Sequence, residues 1–159
     1  MSNNDETRPG VAIDQAFNVL ENKDTEALLH AQQEQLAQMT ETTSAEARCT
    51  LELDIASTQL ALEKKTEAWD LAKNCFTQFI ELCLWQQAVE ACDVMFQCDL
   101  DDSIIALANG VWLAVTFPVS PETSVAMLQH IIDETPDNSD GAAVAAITTH
   151  YLADIRHEG

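Results

Sequence analysis

Apolar residues recur at helical spacing along almost the whole chain, and the alternation that is typical of strands is nearly absent. Only four glycines and four prolines interrupt the 159 residues. The pattern predicts an all-α fold of eight helices that pair as antiparallel hairpins joined by short loops. It predicts a disordered tail over residues 1–10 and a single helical domain over residues 11–159. The predicted helices span about 11–20, 25–39, 43–63, 66–83, 86–98, 104–117, 121–135 and 142–155.

Several of the predicted helix starts carry capping signals. Thr43 and Glu46 have the spacing of a capping box. Ser120, Pro121 and Glu122 supply a capping hydroxyl, a proline at the first helical position and an acid near the helix dipole. The acidic turn at residues 99–103 should cap the helix that follows it.

One hairpin resembles a known repeat. Its second helix carries a small residue at Ser124, apolar residues at Leu128 and Ile131, and a closing proline at Pro136. These spacings make residues 105–138 similar to a tetratricopeptide repeat, which has about 34 residues. The resemblance implies a right-handed stack of helix hairpins with a concave binding face, used for protein–protein interaction, assembly or chaperone-like scaffolding.

The resemblance is uneven along the chain. Trp112 stands where the family prefers glycine, and Ala108 stands where tryptophan is common. The preceding pair, residues 66–99, resembles the family in Trp69 and Phe76, but its helix spacing is about three residues too long. An irregular helical bundle is therefore the alternative architecture. The chain stops after an unpartnered apolar helix, so we expect a longer natural chain or a homodimer to cover that end.

Charge narrows the range of partners. Acidic residues outnumber basic ones 27 to 7, and the formal net charge is −20. This balance disfavours nucleic acid and anionic membrane surfaces, which bind through lysine and arginine. Residues 74–155 contain twelve Asp or Glu residues and no Lys or Arg. Such a run attracts a basic partner. The alternative interpretation is that it serves only to keep the protein soluble.

We therefore predict a non-enzymatic module that binds a basic or apolar segment of a protein partner. Its binding surface would be the concave face of the helices between Thr66 and Ile132, with acids at the rim and tryptophans in the groove. The residues predicted to bind the partner are Trp69, Glu81, Glu90, Asp93, Asp101, Asp102 and Trp112.

Enzymatic and cofactor motifs are missing from the sequence. It has no nucleophile elbow and no glycine-rich phosphate loop, so we expect no catalysis and no cofactor. His150, Asp154 and His157 share one helical face and form the alternative hypothesis of a metal site. A regulatory domain of a larger enzyme is a further alternative.

The five cysteines lack the Cys-x-x-Cys spacing of zinc and redox sites. An odd number of thiols in a chain of this length favours reduced, buried cysteines. The sequence shows neither a secretory signal nor a stretch long enough to span a membrane. We therefore expect a soluble cytoplasmic protein.

Overall fold

The protein is all-α. The computed structural model describes the backbone of residues 9–135 and the side chains of residues 18–135, and this part of the chain contains helices and no strands. The predicted final helix at 142–155 lies outside the described residues. The helices are α1 (Pro9–Gln38), α2 (Ala45–Ala61), α3 (Lys65–Glu81), α4 (Trp85–Gln97), α5 (Ser103–Thr116) and α6 (Pro121–Glu134).

The first helix is longer than the sequence pattern predicts. The prediction of two helices over residues 11–39 is wrong, because α1 runs through the expected break. Thr25, the expected cap, lies inside the helix and donates its hydroxyl to the carbonyl of Glu21 at 2.8 Å. A threonine whose hydroxyl bonds a carbonyl of the preceding turn is tolerated in a helix interior, so Thr25 does not end α1. The helix also begins at Pro9, inside the predicted tail.

Serine hydroxyls cap two of the later helices. The Ser44 hydroxyl, rather than that of Thr43, accepts the Ala47 N–H at 3.1 Å and starts α2. Ser120 caps α6 as predicted, and its hydroxyl accepts the Thr123 N–H at 3.2 Å.

The acidic turn before α5 does not supply the expected cap. Asp102 occupies the N-cap position, but its side chain makes no capping hydrogen bond. Instead the Ser103 hydroxyl accepts the Leu100 N–H at 2.8 Å and donates to the Met95 carbonyl at 3.2 Å. A buried serine therefore orders this turn, and the carboxylates are left for other contacts.

The α2–α3 and α3–α4 connections use the same tight turn. Glu63 and Cys83 each adopt a positive φ, 58° and 56°. In the first turn the Lys64 N–H bonds the Gln59 carbonyl at 2.9 Å, and the second turn repeats this bond twenty residues later. This is a Schellman ending, which satisfies the last carbonyls of a helix and reverses the chain within three residues.

The central helix of the assembly is α4. It packs along α3 on one side and α5 on the other, and it also contacts α2 and α6. Because α3 and α5 both lie on α4 and do not pack closely on each other, a groove remains between them. The side chains that α4 buries are Ala88, Val89, Ala91, Cys92, Val94 and Met95.

A glycine allows a close contact between helices in this core. Gly110 of α5 lies against α4 and α6, where an added Cβ would stand 2.9 Å from the Cβ of Cys92. It would also overlap Cε of Met127. Only a residue without a side chain fits here, so this position fixes how near α5 approaches its neighbours.

Replacing this glycine should destabilise the protein. Gly110→Ala should lower the free energy of unfolding by about 1 kcal/mol, because overpacking costs about 1–3 kcal/mol and exceeds the helix-propensity gain of about 1 kcal/mol. Urea denaturation followed by circular dichroism measures the change. In a Met127→Ala background the same substitution should cost less, because one of the two overlapping groups is gone. A stabilised Gly110→Ala single variant would contradict this account.

Candidate partner-binding groove

An apolar groove separates α3 from α5 and has a volume of about 170 Å³. Aromatic side chains of α3 form one wall, an isoleucine and an alanine of α5 form the other, and Met95 of α4 contributes between them. An apolar side chain of another molecule that entered this groove would contact apolar side chains of three helices. The lining residues are Trp69, Lys73, Phe76, Met95, Asp102, Ile105, Ala106 and Asn109.

Helical spacing explains why these residues share the groove. Trp69, Lys73 and Phe76 stand at i, i+4 and i+7 on α3, and therefore lie along one face. Asp102 and Asn109 stand seven residues apart at the two ends of the α5 wall. Because α3 and α5 both run antiparallel to α4, they point the same way. The groove therefore has one end at the start of both helices and another about two turns further on.

The first end of the groove is acidic. Asp101 and Asp102 are exposed and border Trp69, whereas Asp99, also exposed, lines a separate cleft with Ile104 and Glu134. Within residues 18–135, neither a hydrogen bond nor an ion pair engages these three carboxylates. Lys73 is the only basic residue among the lining residues. Lys65, which begins α3 and acts electrostatically on Cys98, offsets part of this charge. This end therefore offers negative charge beside apolar surface.

The other end continues into exposed apolar surface on α5. Ile105 and Trp112 are 57% and 59% exposed, and the whole of α5 carries no charged residue. Trp112 lies edge-on to Phe117 with ring centroids 5.9 Å apart, and Phe117 stacks on Trp85 at 3.9 Å. The neighbouring rings therefore hold Trp112 while most of it remains in solvent.

A second set of predicted residues lies on the opposite side of α4. Asp93 is two residues from Met95, about 200° around the helix, and so faces away from the groove. Its carboxylate lies 2.7 Å from Nε2 of His130 on α6, and both side chains are about 30% exposed or less. The imidazole also packs on the Phe96 ring, with centroids 4.8 Å apart. This pair joins α4 to α6.

Gln86 makes a second link between α4 and the start of α6. Its amide nitrogen donates to Glu90 at 2.8 Å and to the Thr123 hydroxyl at 2.6 Å. Its amide oxygen accepts the Ser120 N–H at 2.8 Å. Glu90 is therefore part of a structural hydrogen-bond network, as Asp93 is.

The structure thus brings together three of the seven residues predicted to bind a partner. Trp69, Asp101 and Asp102 lie at the acidic end of the groove, and Trp112 lies one turn beyond its far end. Glu81 is exposed at the end of α3. Glu90 and Asp93 lie on the opposite side of α4.

Sequence reasoning did not single out Lys73, Phe76, Ile105 or Asn109 as groove residues. The i, i+4, i+7 spacing on α3 was the signal that could have found Lys73 and Phe76 once Trp69 had been chosen. Ile105 and Asn109 on the opposite wall gave no such signal, because the α3 residues across the groove lie about 30 residues away in sequence.

The metal hypothesis concerns residues outside the described part. His150, Asp154 and His157 all fall after residue 135. Among the described residues, no group of three or more His, Cys, Asp or Glu side chains is arranged to hold a metal ion. In the same part of the chain, no helix is long and apolar enough to cross a membrane.

Burial makes most of the thiols poor nucleophiles. It raises the pKa of Cys75 and of Cys92 to about 12, and raises the pKa of Cys49 and Cys98 above the ordinary value. At neutral pH these groups stay protonated, and thiols rather than thiolates react slowly with electrophiles. Cys83 alone is exposed.

Comparison with other proteins identified no relative. No family model matches the sequence, and neither a curated protein nor a solved structure is significantly similar to it.

One of the five thiols should react rapidly with a thiol reagent, and the other four should react slowly. Folded protein should react rapidly with about one equivalent of a thiol-reactive disulfide reagent, because Cys83 is exposed and the other four thiols are buried. Absorbance of the released thiolate counts the equivalents, and protein in denaturant should give all five. Cys83→Ser should remove the fast phase, and two or more fast equivalents in native wild type would contradict the burial.

Loss of the Gln86 amide should weaken the junction of α4 with α6. Gln86→Leu should lower the free energy of unfolding by about 1–2 kcal/mol, because it leaves the Ser120 N–H without its partner. Gln87→Leu is the matched control, since the adjacent Gln87 makes no hydrogen bond within the described residues. Thermal denaturation compares the two, and equal losses of stability would show that the network contributes nothing.

Proposed function

We propose that this protein is a non-enzymatic interaction module that binds a basic or apolar segment of a protein partner in the groove between α3 and α5. The observation that carries the proposal is the juxtaposition of about 170 Å³ of apolar groove with the carboxylates of Asp101 and Asp102, which make no hydrogen bond or ion pair within residues 18–135. Apolar contact supplies affinity to such a segment, and the acidic end supplies selectivity for lysine or arginine.

Exposed apolar area supports this use of the surface. Burying a large side chain completely stabilises an interface by about 1.5–3 kcal/mol, and aromatic residues often dominate binding energy. Trp69 and Ile105 lie on opposite walls of the groove, with Trp112 one turn further along α5. The three residues together are enough to anchor one segment of a partner.

The charge of the whole chain favours the same class of partner. A formal charge of −20 raises the encounter rate with basic proteins and slows encounter with acidic ones. The antiparallel hairpins and the likeness of residues 105–138 to a tetratricopeptide repeat support an assembly or scaffold role. We place the module in the cytoplasm, where buried thiols remain reduced.

Two double charge reversals test the proposal. Asp101→Lys with Asp102→Lys alters the acidic end of the groove, and Glu26→Lys with Glu41→Lys makes the same change in net charge at exposed positions elsewhere. After cross-linking in cells has identified a partner, its purified form should bind the groove variant at least about tenfold more weakly than wild type, a loss of about 1.4 kcal/mol.

The control variant should stay within about threefold of wild type in 150 mM salt, where long-range charge effects are screened. Ile105→Asp should also weaken binding, because it places a charge on the apolar wall. If both double reversals weakened binding equally, the loss of affinity would reflect net charge and not the groove. Unchanged binding in both reversals and in Ile105→Asp would refute the groove as the binding site.

A further inference from the structure

A second face of α5 is open to solvent, on the side of the helix that turns away from the groove. Ile104 and Val115 are 57% and 44% exposed, Ala108 is exposed and Val111 is half-buried between them. Val111 follows the groove residue Asn109 by two positions, about 200° around the helix, so this face and the groove lie on different sides of α5. We call residues 104, 108, 111 and 115 the α5 stripe.

The α5 stripe lies in the longest uncharged run of the chain. Residues 103–121 contain no Asp, Glu, Lys, Arg or His, although Asp and Glu make up 27 of the 159 residues. Two copies of such an acidic protein repel each other over most of their surfaces. At the α5 stripe they would meet no like charge, and a basic segment would find no carboxylate to bind.

The spacing of the α5 stripe makes it complementary to a reversed copy of itself. Its members are separated by four, three and four residues, which is the spacing along which two helices pack side by side. This order is the same in both directions. A two-fold axis midway between residues 108 and 111 therefore places Ile104 opposite Val115 of the second copy, and Ala108 opposite Val111 of the second copy. Each contact then occurs twice, as it does in other two-fold dimers.

We propose that the α5 stripe is the interface of a weak homodimer, in which α5 of one copy packs antiparallel on α5 of a second copy. The self-complementary spacing and the missing charge favour a second copy over a basic segment as the occupant. The antiparallel direction keeps the two acidic turns at opposite ends of the contact, whereas a parallel pair would bring Asp101 and Asp102 of both copies together. The inference goes beyond the proposed function, because the α5 stripe does not line the groove.

The exposed area of the α5 stripe is that of a weak dimer. Together with the adjoining Trp112, which is 59% exposed, it presents apolar surface on the order of 400 Å². Two copies would then bury about 800 Å², whereas stable specific interfaces bury about 1,200–2,000 Å² and smaller ones are transient. We therefore expect a dissociation constant of about 10–100 µM.

Salt distinguishes self-association from binding of a basic partner. Each copy carries a formal charge of −20, so salt screens the repulsion between copies, whereas it screens the attraction of a basic segment. Analytical ultracentrifugation of the full chain at about 5–500 µM should show a monomer–dimer equilibrium. Its dissociation constant should fall at least about threefold between about 50 and 500 mM salt.

Substitutions on the α5 stripe should dissociate the dimer. Ala108→Glu should raise the dissociation constant at least about tenfold, because the two-fold axis brings the introduced carboxylates of both copies close together. Ile104→Gln removes apolar contact without adding charge and should raise it at least about fivefold. Ala31→Glu is the matched control, on an exposed position of α1, which packs on α2, and should change it by less than about twofold. Circular dichroism should show that all three variants remain folded.

Cross-linking tests the direction of the two helices. In a Cys83→Ser background, a short bismaleimide should join Ile104→Cys protein to Val115→Cys protein in a mixture, because the antiparallel pair places these positions opposite each other. Neither variant alone should be joined to itself, because the two copies of either position would lie eleven residues, about 16 Å, apart along the helices.

Each failure has a distinct meaning. A monomer at the highest concentration and salt would overturn the homodimer, and a dimer that Ala108→Glu and Ile104→Gln leave unchanged would overturn the α5 stripe as its interface. So would a dimer that salt weakens, or one that Ala31→Glu weakens as much as Ala108→Glu does. Self-cross-linking of either cysteine variant alone would overturn the antiparallel direction. The proposed function is tested separately, by a basic partner and by variants of the groove.

Discussion

The close contact of α4 with α5 and α6 around Gly110 is the constraint on which the arrangement of the described helices depends. The missing side chain lets Cys92 and Met127 fill the space that a Cβ would occupy. With α5 held there, and α3 held on the other side of α4 by the tight turn at Cys83, the outer helices cannot close on each other. The groove is therefore a consequence of how α4 is packed.

The acidic residues of the central helices serve two different purposes. On the side of α4 that faces α6, Asp93 pairs with His130 and Glu90 bonds to Gln86, so these carboxylates help to join helices. At the acidic turn, Ser103 provides the hydrogen bonds that order the chain. Within residues 18–135 neither a hydrogen bond nor an ion pair engages Asp101 and Asp102, and both lie where the groove begins.

The candidate site was partly predictable from sequence. Trp69, Asp101 and Asp102 were identified because an aromatic residue and an acidic turn are visible in the sequence itself. Phe76 and Ile105 were not, because each is an ordinary apolar position on an amphipathic helix. What makes them a site is the gap between α3 and α5, and that gap depends on α4. Asp93 looks the same in sequence as Asp101, yet it pairs with a histidine 37 residues away.

Sequence alone determined the features that depend on neighbours within about one helical turn. The all-α class, the α4 helix and the Ser120 cap with Pro121 follow from periodicity and from hydrogen bonds between adjacent residues. The tertiary structure decided which carboxylates are neutralised, which apolar faces remain open and why residue 110 is glycine. These depend on contacts between residues far apart in sequence, and helical periodicity specifies which face of a helix is buried without specifying the partner that covers it.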